Sequence, residues 1–240
     1  MMHDNKDFLI LPLGTWVIKQ GKYSDMGLES SPVRFRLIDW AVLQDLRTSD
    51  LVLLTGKRGA GKSHMLMTLG AHLHPSLMGL LLCYDLGIAD CVSRFEAMAE
   101  MSGAEDAYGL RDSNVCYNKQ LFLEALLMTD FEAWQARILA LRAERGFQLV
   151  LIDDLTHMAA AMQLSVQTLL VRLKQFGRLN NVLIVAAYEN ADNIELGHFC
   201  HRHIAVEQTA PMQYVLTVVS SKRGKIGAET TLQIGAALWE

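Results

Sequence analysis

The chain has 240 residues, of which 51% are apolar and 20% are charged. This composition is typical of an ordinary globular domain, and it excludes disordered, collagen-like and coiled-coil proteins. The formal net charge is −4. The chain as a whole therefore has no attraction to nucleic acid or to an anionic membrane, and binding to DNA would need a local basic patch.

Four cysteines are widely spaced and form no CxxC pair: Cys83, Cys91, Cys116 and Cys200. This spacing favours free, mostly buried thiols in a reducing compartment over a disulfide framework or a zinc ribbon. The N-terminal residues mix acidic, basic and apolar side chains, unlike a secretory signal. Residues 64–84 contain no Asp, Glu, Lys or Arg, but they include three His, a Ser, a Thr and a Pro. A helix, a turn and a strand explain this stretch better than a membrane span does. We therefore expect a cytoplasmic protein without a membrane span.

Regular elements are predicted from residue 33 onward, after an N-terminal extension, residues 1–32, that ends in a Ser-Ser-Pro turn. An amphipathic segment comes first. Apolar runs bounded by turn residues then predict buried strands, and apolar residues at helical spacing predict helices. In chain order these are strand 51–55, helix 62–72, strand 79–86, helix 91–101, a short strand at 114–117, helix 131–144, strand 147–155, helix 165–179 and strand 181–188.

The order of these elements predicts the fold class. Apolar strands that alternate with helices favour an α/β fold with a mostly parallel twisted sheet flanked by helices. The C-terminal part differs, because HRHIAV, QYVLTVVSSKR and ETTLQIGAAL follow one another without a helix. Residues 224–227 are expected to turn the last two into an antiparallel hairpin. No repeat or long linker divides the chain, so residues 33–240 are expected to form one domain.

The most specific motif is GKRGAGKS at residues 56–63, which matches GxxxxGK[ST]. It lies directly after a predicted buried strand and before a predicted helix, as a phosphate-binding loop requires. Its glycines let backbone N–H groups turn toward phosphate oxygens, and the start of the helix carries partial positive charge. We therefore expect ATP to be bound by Gly56, Lys57, Arg58, Gly59, Ala60, Gly61, Lys62, Ser63 and His64.

Two side chains of the loop and one distant carboxylate predict a magnesium site. Lys62 would supply charge at the β and γ phosphates, and Ser63 would place a hydroxyl on a Mg²⁺ that bridges them. The strand LVLID ends in Asp153 and Asp154. A carboxylate at the carboxyl end of a neighbouring strand would face the metal and its waters, so Asp153 is the expected second ligand. For Asp154, a helix N-cap is an equal alternative.

These features resemble the RecA superfamily of P-loop ATPases, particularly its DnaB-type helicase and KaiC-type branch, over residues 33–234. WQARILALRAERGFQLVLIDDL is similar to the helix and strand that carry the second nucleotide motif of that branch. LLLCYDLGIADCVSRFEAMA is similar to the strand that ends in the catalytic Glu of the family. Asp85 occupies the matching position, one methylene shorter, and the resemblance implies that it polarises the attacking water. A helix-capping role for Asp85 is the alternative.

The C-terminal VVSSKRGKIGAETTLQI resembles the last hairpin of the family, whose Lys-x-Arg pair reaches the γ phosphate of a neighbouring subunit. Arg223 matches the Arg, whereas Ser221 occupies the Lys position. Lys222 and Lys225 are candidate substitutes, and alternation of side chains along a strand would place Lys225 on the face of Arg223. The resemblance implies a homo-oligomer, a ring or filament, in which these cations act on a neighbour's nucleotide. A solvated basic turn is the alternative.

Two further sets of polar residues carry weaker signals. The end of strand 181–188 offers Tyr188 or Asn190 as a sensor of the γ phosphate, and a plain turn is equally consistent with this sequence. Segment 198–203, HFCHRH, is rich in side chains that can bind metals. On a strand these side chains would face opposite ways, so a metal site is not expected there.

Three functions are consistent with these patterns: an ATP-driven switch that acts on a protein partner, a motor on single-stranded DNA, and a non-hydrolysing nucleotide-binding scaffold. The DNA motor is less favoured, because loops 155–171 and 189–200 contain no Lys or Arg. Asp85 in place of Glu and Ser221 in place of Lys motivate the scaffold. ATPases of the AAA+ class have similar loops and strands, but they end in a helical lid rather than in strands.

Overall fold

The computed structural model describes residues 41–71, 77–84, 87, 89–94, 121–124, 128–189, 194–211 and 213–233. The first part of the chain mixes strands and helices: β1 (Leu51–Gly56), α1 (Lys62–Ala71), β2 (Gly79–Cys83), β3 (Leu121–Glu124), α2 (Phe131–Arg145), β4 (Leu149–Asp153), α3 (Leu155–Ala161), α4 (Val166–Asn180) and β5 (Leu183–Glu189). Three strands follow: β6 (Arg202–Ala210), β7 (Gln213–Ser221) and β8 (Glu229–Gln233). Short 3-10 turns lie at Ala41–Leu43 and Ile194–Phe199.

The eight strands form one sheet in the order β3-β2-β4-β5-β1-β6-β7-β8. Neighbouring strands from β3 to β6 are parallel, whereas the pairs β6-β7 and β7-β8 are antiparallel. β1 and β4 are buried along their whole length, as expected for parallel strands covered on both faces. The predicted α/β class, with a mostly parallel sheet and antiparallel C-terminal strands, is confirmed.

Alternate side chains of each strand enter two separate apolar layers, because successive residues point to opposite faces of the sheet. Leu54 of β1 belongs to the layer that contains Met65 of α1. Leu53, its neighbour, belongs to the layer that contains Trp134 of α2 and Phe176 of α4. Helix α1 therefore covers one face, and α2 and α4 cover the other.

Local sequence signals set the ends of the two long helices. The Asp130 carboxylate accepts a hydrogen bond from Ala133 N at the start of α2, and the helix ends before Gly146, which is left-handed. Ser165 caps α4 in the same way, and left-handed Asn181 follows its last residue. These caps define where each helix returns the chain to the next strand.

Most predicted elements are confirmed within a few residues. The predicted helices correspond to α1 (predicted as 62–72), α2 (131–144) and α4 (165–179). The predicted strands correspond to β1 (predicted as 51–55), β2 (79–86), β4 (147–155) and β5 (181–188). The periodicity predicts neither β3 nor α3, because each has too few residues to show a period. The predicted hairpin joins β7 to β8, and its Gly224 and Gly227 have positive φ.

Other predicted elements lie partly or wholly outside the described residues. They include the N-terminal extension 1–32, the start of the amphipathic segment that follows it, the end of strand 79–86, the part of helix 91–101 beyond residue 94, the strand at 114–117, and the end of ETTLQIGAAL beyond residue 233. Within the described ranges, no helix combines the length and the apolar character that crossing a membrane requires.

Candidate functional site

The phosphate-binding motif forms the turn between β1 and α1, at the edge of the sheet where the parallel strands end. Ala60 N donates to Lys57 O (3.1 Å), and Met65 N donates to Gly61 O (2.9 Å), so the loop runs directly into the first turn of α1. Residues 57–59 at its tip are exposed. The motif therefore has the strand–loop–helix arrangement that binding of a phosphate at a helix N-terminus requires.

Two glycines of this loop have left-handed backbone conformations, with φ of 78° at Gly59 and 89° at Gly61. A Cβ on Gly61 would overlap the ring of Tyr214, whereas a Cβ on Gly59 would meet nothing within 4 Å. The Tyr214 ring is buried and also stacks on His64, with the ring centroids 6.4 Å apart. Tyr214 of β7 therefore packs directly against the phosphate loop, a contact that the local sequence does not predict.

Lys62 begins α1 and is buried within the loop. Its ammonium group donates to Gly56 O (3.0 Å) and to Lys57 O (2.9 Å). Burial lowers the pKa of Lys62, and nearby carboxylates, foremost Glu189, oppose this shift. The carbonyls of the loop thus hold the ammonium group at the position where the motif requires a cation.

Ser63 and Asp153 are in direct contact: Ser63 Oγ donates to Asp153 Oδ1 at 3.1 Å. The strand that ends in Asp153, β4, is not the neighbour of β1, because β5 lies between them. Helix α1 packs across both β5 and β4, and this crossing brings its first turn to the end of β4. A hydroxyl and a carboxylate oxygen at this distance fit Mg²⁺, which prefers oxygen ligands and retains several waters.

Two more carboxylates lie at the same edge of the sheet. Asp154 is the N-cap of α3 and accepts hydrogen bonds from His157 N (3.0 Å) and His157 Nδ1 (2.8 Å), as its helix-cap interpretation predicted. Glu189 ends β5, is exposed, and pairs with Gly56 of β1. The sequence patterns above did not single out Glu189, although the rule that identified Asp153, a carboxylate at the end of a strand, applies to it equally.

The remaining candidates at this edge are only partly described. Tyr188 pairs with Thr55 of β1 and is half-buried. Asp85 and Asn190 lie outside the described residues. Cys83, two positions before Asp85, pairs with Asp153 at the end of β4.

Arg223 and Lys225 lie far from the phosphate loop of their own chain. β7 ends at Ser221, and both cations belong to the turn that leads to β8, so strand alternation does not place them on one face, contrary to the prediction. The Arg223 guanidinium pairs with Asp50, the residue before β1. β1 has six residues and spans about 20 Å, which separates this ion pair from the loop at the other end.

The histidines of segment 198–203 that the structure places on or beside β6 bind protein atoms. His201 Nδ1 accepts a hydrogen bond from Leu51 N (2.9 Å), and His203 Nε2 bonds Thr55 Oγ1 (2.7 Å). In the described part of the chain, no three His, Cys, Asp or Glu side chains form a group that could hold a metal ion.

The cysteines follow the prediction where the structure describes them. Cys83, Cys91 and Cys200 are buried free thiols, and Cys116 lies outside the described residues. The Sγ atoms of Cys83 and Cys91 are 2.7 Å apart. Both residues flank the segment that contains Asp85.

No protein-family model matches this chain, and no curated protein matches it either. Similarity therefore assigns the chain to no family. Its function has to be derived from the geometry of the phosphate loop and of the residues around it.

Proposed function

We propose that this chain is an ATP-binding, Mg²⁺-dependent P-loop ATPase of RecA-like type, which forms a ring or filament and acts as an ATP-driven switch on a protein partner. The observation that carries this proposal is the hydrogen bond between Ser63 and Asp153. A motif of eight residues can occur by chance. Its last residue would then have no reason to meet a carboxylate ninety positions along the chain, at the end of a strand that is not adjacent.

Different residues at this edge would contact different parts of a bound triphosphate. The loop N–H groups and the start of α1 would bind the β phosphate. Lys62, already dehydrated, would exchange its two carbonyl partners for phosphate oxygens, and this contact gains strength from its low-dielectric surroundings. Ser63 and Asp153 would hold Mg²⁺, which would supply positive charge to the phosphate oxygens.

Hydrolysis also needs a group that orients the attacking water. We assign this role to Asp85, which follows the strand paired with β4 and is separated from its end by only one residue, Tyr84. Glu189 supplies a second carboxylate beside the loop. A role of Arg223 on a neighbour's nucleotide would require its guanidinium to leave Asp50, so assembly would have to compensate for that lost ion pair.

Substitution of Lys62 by Ala tests this proposal. We expect the purified protein to bind and hydrolyse ATP, and Lys62→Ala to lower the hydrolysis rate on the order of 100-fold or more, because an ammonium group aimed at the transferred phosphoryl is lost. Arg145→Ala, which removes an exposed cation from α2 at the other side of the molecule, is the control and should keep the rate. Absence of ATP binding in the unmodified protein would refute the proposal.

A further inference from the structure

Two buried thiols lie in direct contact beside the candidate magnesium site. Cys83 is the last residue of β2, and Cys91 lies in the helical residues 89–94 that follow. Their Sγ atoms are 2.7 Å apart, so the two thiols share a hydrogen bond. The Cys200 thiol differs, because it is directed at the backbone carbonyls of Leu196 (3.8 Å) and Gly197 (3.5 Å). The pair is therefore a specific arrangement of two sulfur atoms.

The positions of the two sulfur atoms suit a disulfide bond. Such a bond has an S–S length of about 2.05 Å, so the Sγ atoms of Cys83 and Cys91 have to approach each other by only about 0.7 Å. Their side chains are 3% and 0% exposed, and the core around them is closely packed. Neither sulfur can turn away into solvent, so the packing holds the two together.

One of the two thiols is activated by the other. Contact with Cys83 lowers the pKa of the Cys91 thiol, against the effect of its burial, and Arg94 acts in the same direction as Cys83. The same contact and burial raise the pKa of Cys83. Because the thiolate is the nucleophile toward an oxidant, Cys91 reacts first and Cys83 supplies the second sulfur. Residues 89, 90, 93 and 94 around Cys91 are exposed, which gives a small oxidant a short path.

We propose that Cys83 and Cys91 are a site of oxidation by hydroperoxides, at which they form a reversible disulfide. The Cys91 thiolate attacks one oxygen of hydrogen peroxide, the O–O bond breaks, and hydroxide leaves, which forms a sulfenic acid on Cys91. Cys83 sulfur then attacks Cys91 sulfur, and the Cys83 proton leaves with the sulfenic hydroxyl as water. The hydroxide takes up the proton that Cys91 had released. The two thiols thus become one disulfide, and the peroxide becomes two water molecules.

The effect of this bond on activity rests on the proposed function. Cys83 pairs in register with Asp153, the candidate magnesium ligand, and the next residue, Tyr84, donates its N–H to Asp153 O at 2.7 Å. The disulfide would also close the part of the chain that contains Asp85, the residue assigned to the attacking water. Oxidation should therefore lower ATP hydrolysis on the order of tenfold, because small displacements of catalytic groups are costly. Reduction by dithiothreitol should restore the rate.

A first test detects the bond itself and needs no ATP. The sequence has no Lys or Arg between Lys62 and Arg94, so trypsin releases both cysteines in one peptide, residues 63–94, which contains no other cysteine. The intact chain is treated with hydrogen peroxide, unfolded and alkylated before digestion. Peptide 63–94 should carry no alkyl group and be lighter than the reduced peptide by two hydrogen atoms. Prior treatment with dithiothreitol should return two alkylated thiols.

Two matched substitutions locate the reaction. Cys83→Ser should leave a sulfenic acid on Cys91 that dimedone traps, because the second thiol is absent. Cys200→Ser, the same change at another buried thiol, should form the disulfide as the intact chain does. Two alkylated thiols in peptide 63–94 after peroxide, or a sulfinic acid in place of the disulfide, would overturn the oxidation site. Both results can be read on the intact chain, whatever the substitutions do to folding.

The second test compares ATP hydrolysis by the oxidised and the reduced chain. A tenfold lower rate that dithiothreitol restores, in the intact chain and in Cys200→Ser, would support the effect on the nucleotide site. A disulfide with an unchanged rate would overturn that effect and keep the oxidation site. Absence of hydrolysis in the reduced chain would count against the proposed function alone, because peptide 63–94 still shows whether the disulfide forms.

Discussion

At the carboxyl edge of the sheet, one buried cation, Lys62, lies among the carboxylates of Glu189, Asp154 and Asp153. At the amino edge the signs are reversed, because one buried carboxylate, Asp50, lies among cations. Parallel strands gather all their carboxyl ends on one side, so groups far apart in the sequence accumulate at each edge. The comparison shows how a chain of small net charge can carry one acidic and one basic edge.

The two edges also differ in what holds them together. The carboxyl edge is joined by the loop itself, through contacts between residues close in sequence, and by the single bond from Ser63 to Asp153. The amino edge is joined by Arg202, which is buried and donates to Val42 O (2.9 Å), Gln44 O (2.6 Å) and Arg223 O (2.7 Å). Arg202 therefore has a structural role at this edge.

The largest expected effect concerns the ion pair at the amino edge. Burial raises the pKa of Asp50, and Arg223 is among the groups that lower it. Arg223→Gln should therefore raise the pKa further and cost about 3 kcal/mol of unfolding free energy at pH 7, because a buried carboxylate loses its partner. The loss should be present above the pKa of Asp50 in the folded protein and should shrink as the pH falls through it.

Urea unfolding at several pH values measures this loss. Arg137→Gln, which breaks an exposed pair with Glu124, is the control and should cost about 0.5 kcal/mol or less. Equal costs for the two variants would show that the amino edge is not held together by its charges.

The next effect concerns the loop at the carboxyl edge. Gly59→Ala should lower the free energy of unfolding by about 1 kcal/mol, because it only forces a non-glycine residue into the left-handed region. Gly61→Ala adds a clash with the Tyr214 ring and should cost about 2 kcal/mol more. The difference should shrink in a Tyr214→Ala background, measured by thermal unfolding. An unchanged difference would mean that Tyr214 does not pack against the loop.

The carboxyl edge was largely predictable from the sequence, because its signals are local. The loop motif is contiguous, and Asp153 ends a strand whose remaining residues are all apolar. The position of β5 between β1 and β4 was not predictable, since strand order depends on how helices cross the sheet. Tyr214 was missed for the same reason: it reaches Gly61 only through the pairing of β6 with β7.

The contacts at the amino edge could hardly be predicted from the sequence. Arg202 and Val42 are 160 positions apart, and Arg223 and Asp50 are 173 apart. No short pattern connects such residues. Arg223 was singled out from a resemblance, and the same reasoning placed it with Lys225 on a strand that the structure ends at Ser221.

The most direct test of the nucleotide site is the effect of Mg²⁺ on ATP affinity, measured by isothermal titration calorimetry on the intact chain and on Ser63→Ala. The intact chain should bind ATP more tightly with Mg²⁺ than without it. Without Mg²⁺, Ser63→Ala should bind ATP as tightly as the intact chain does. The factor by which Mg²⁺ increases ATP affinity should be smaller by about tenfold or more in Ser63→Ala, because the hydroxyl that faces Asp153 is removed. An intact chain that binds no ATP, or a gain that is unchanged in Ser63→Ala, would contradict the assignment of Ser63 and Asp153 as the magnesium site.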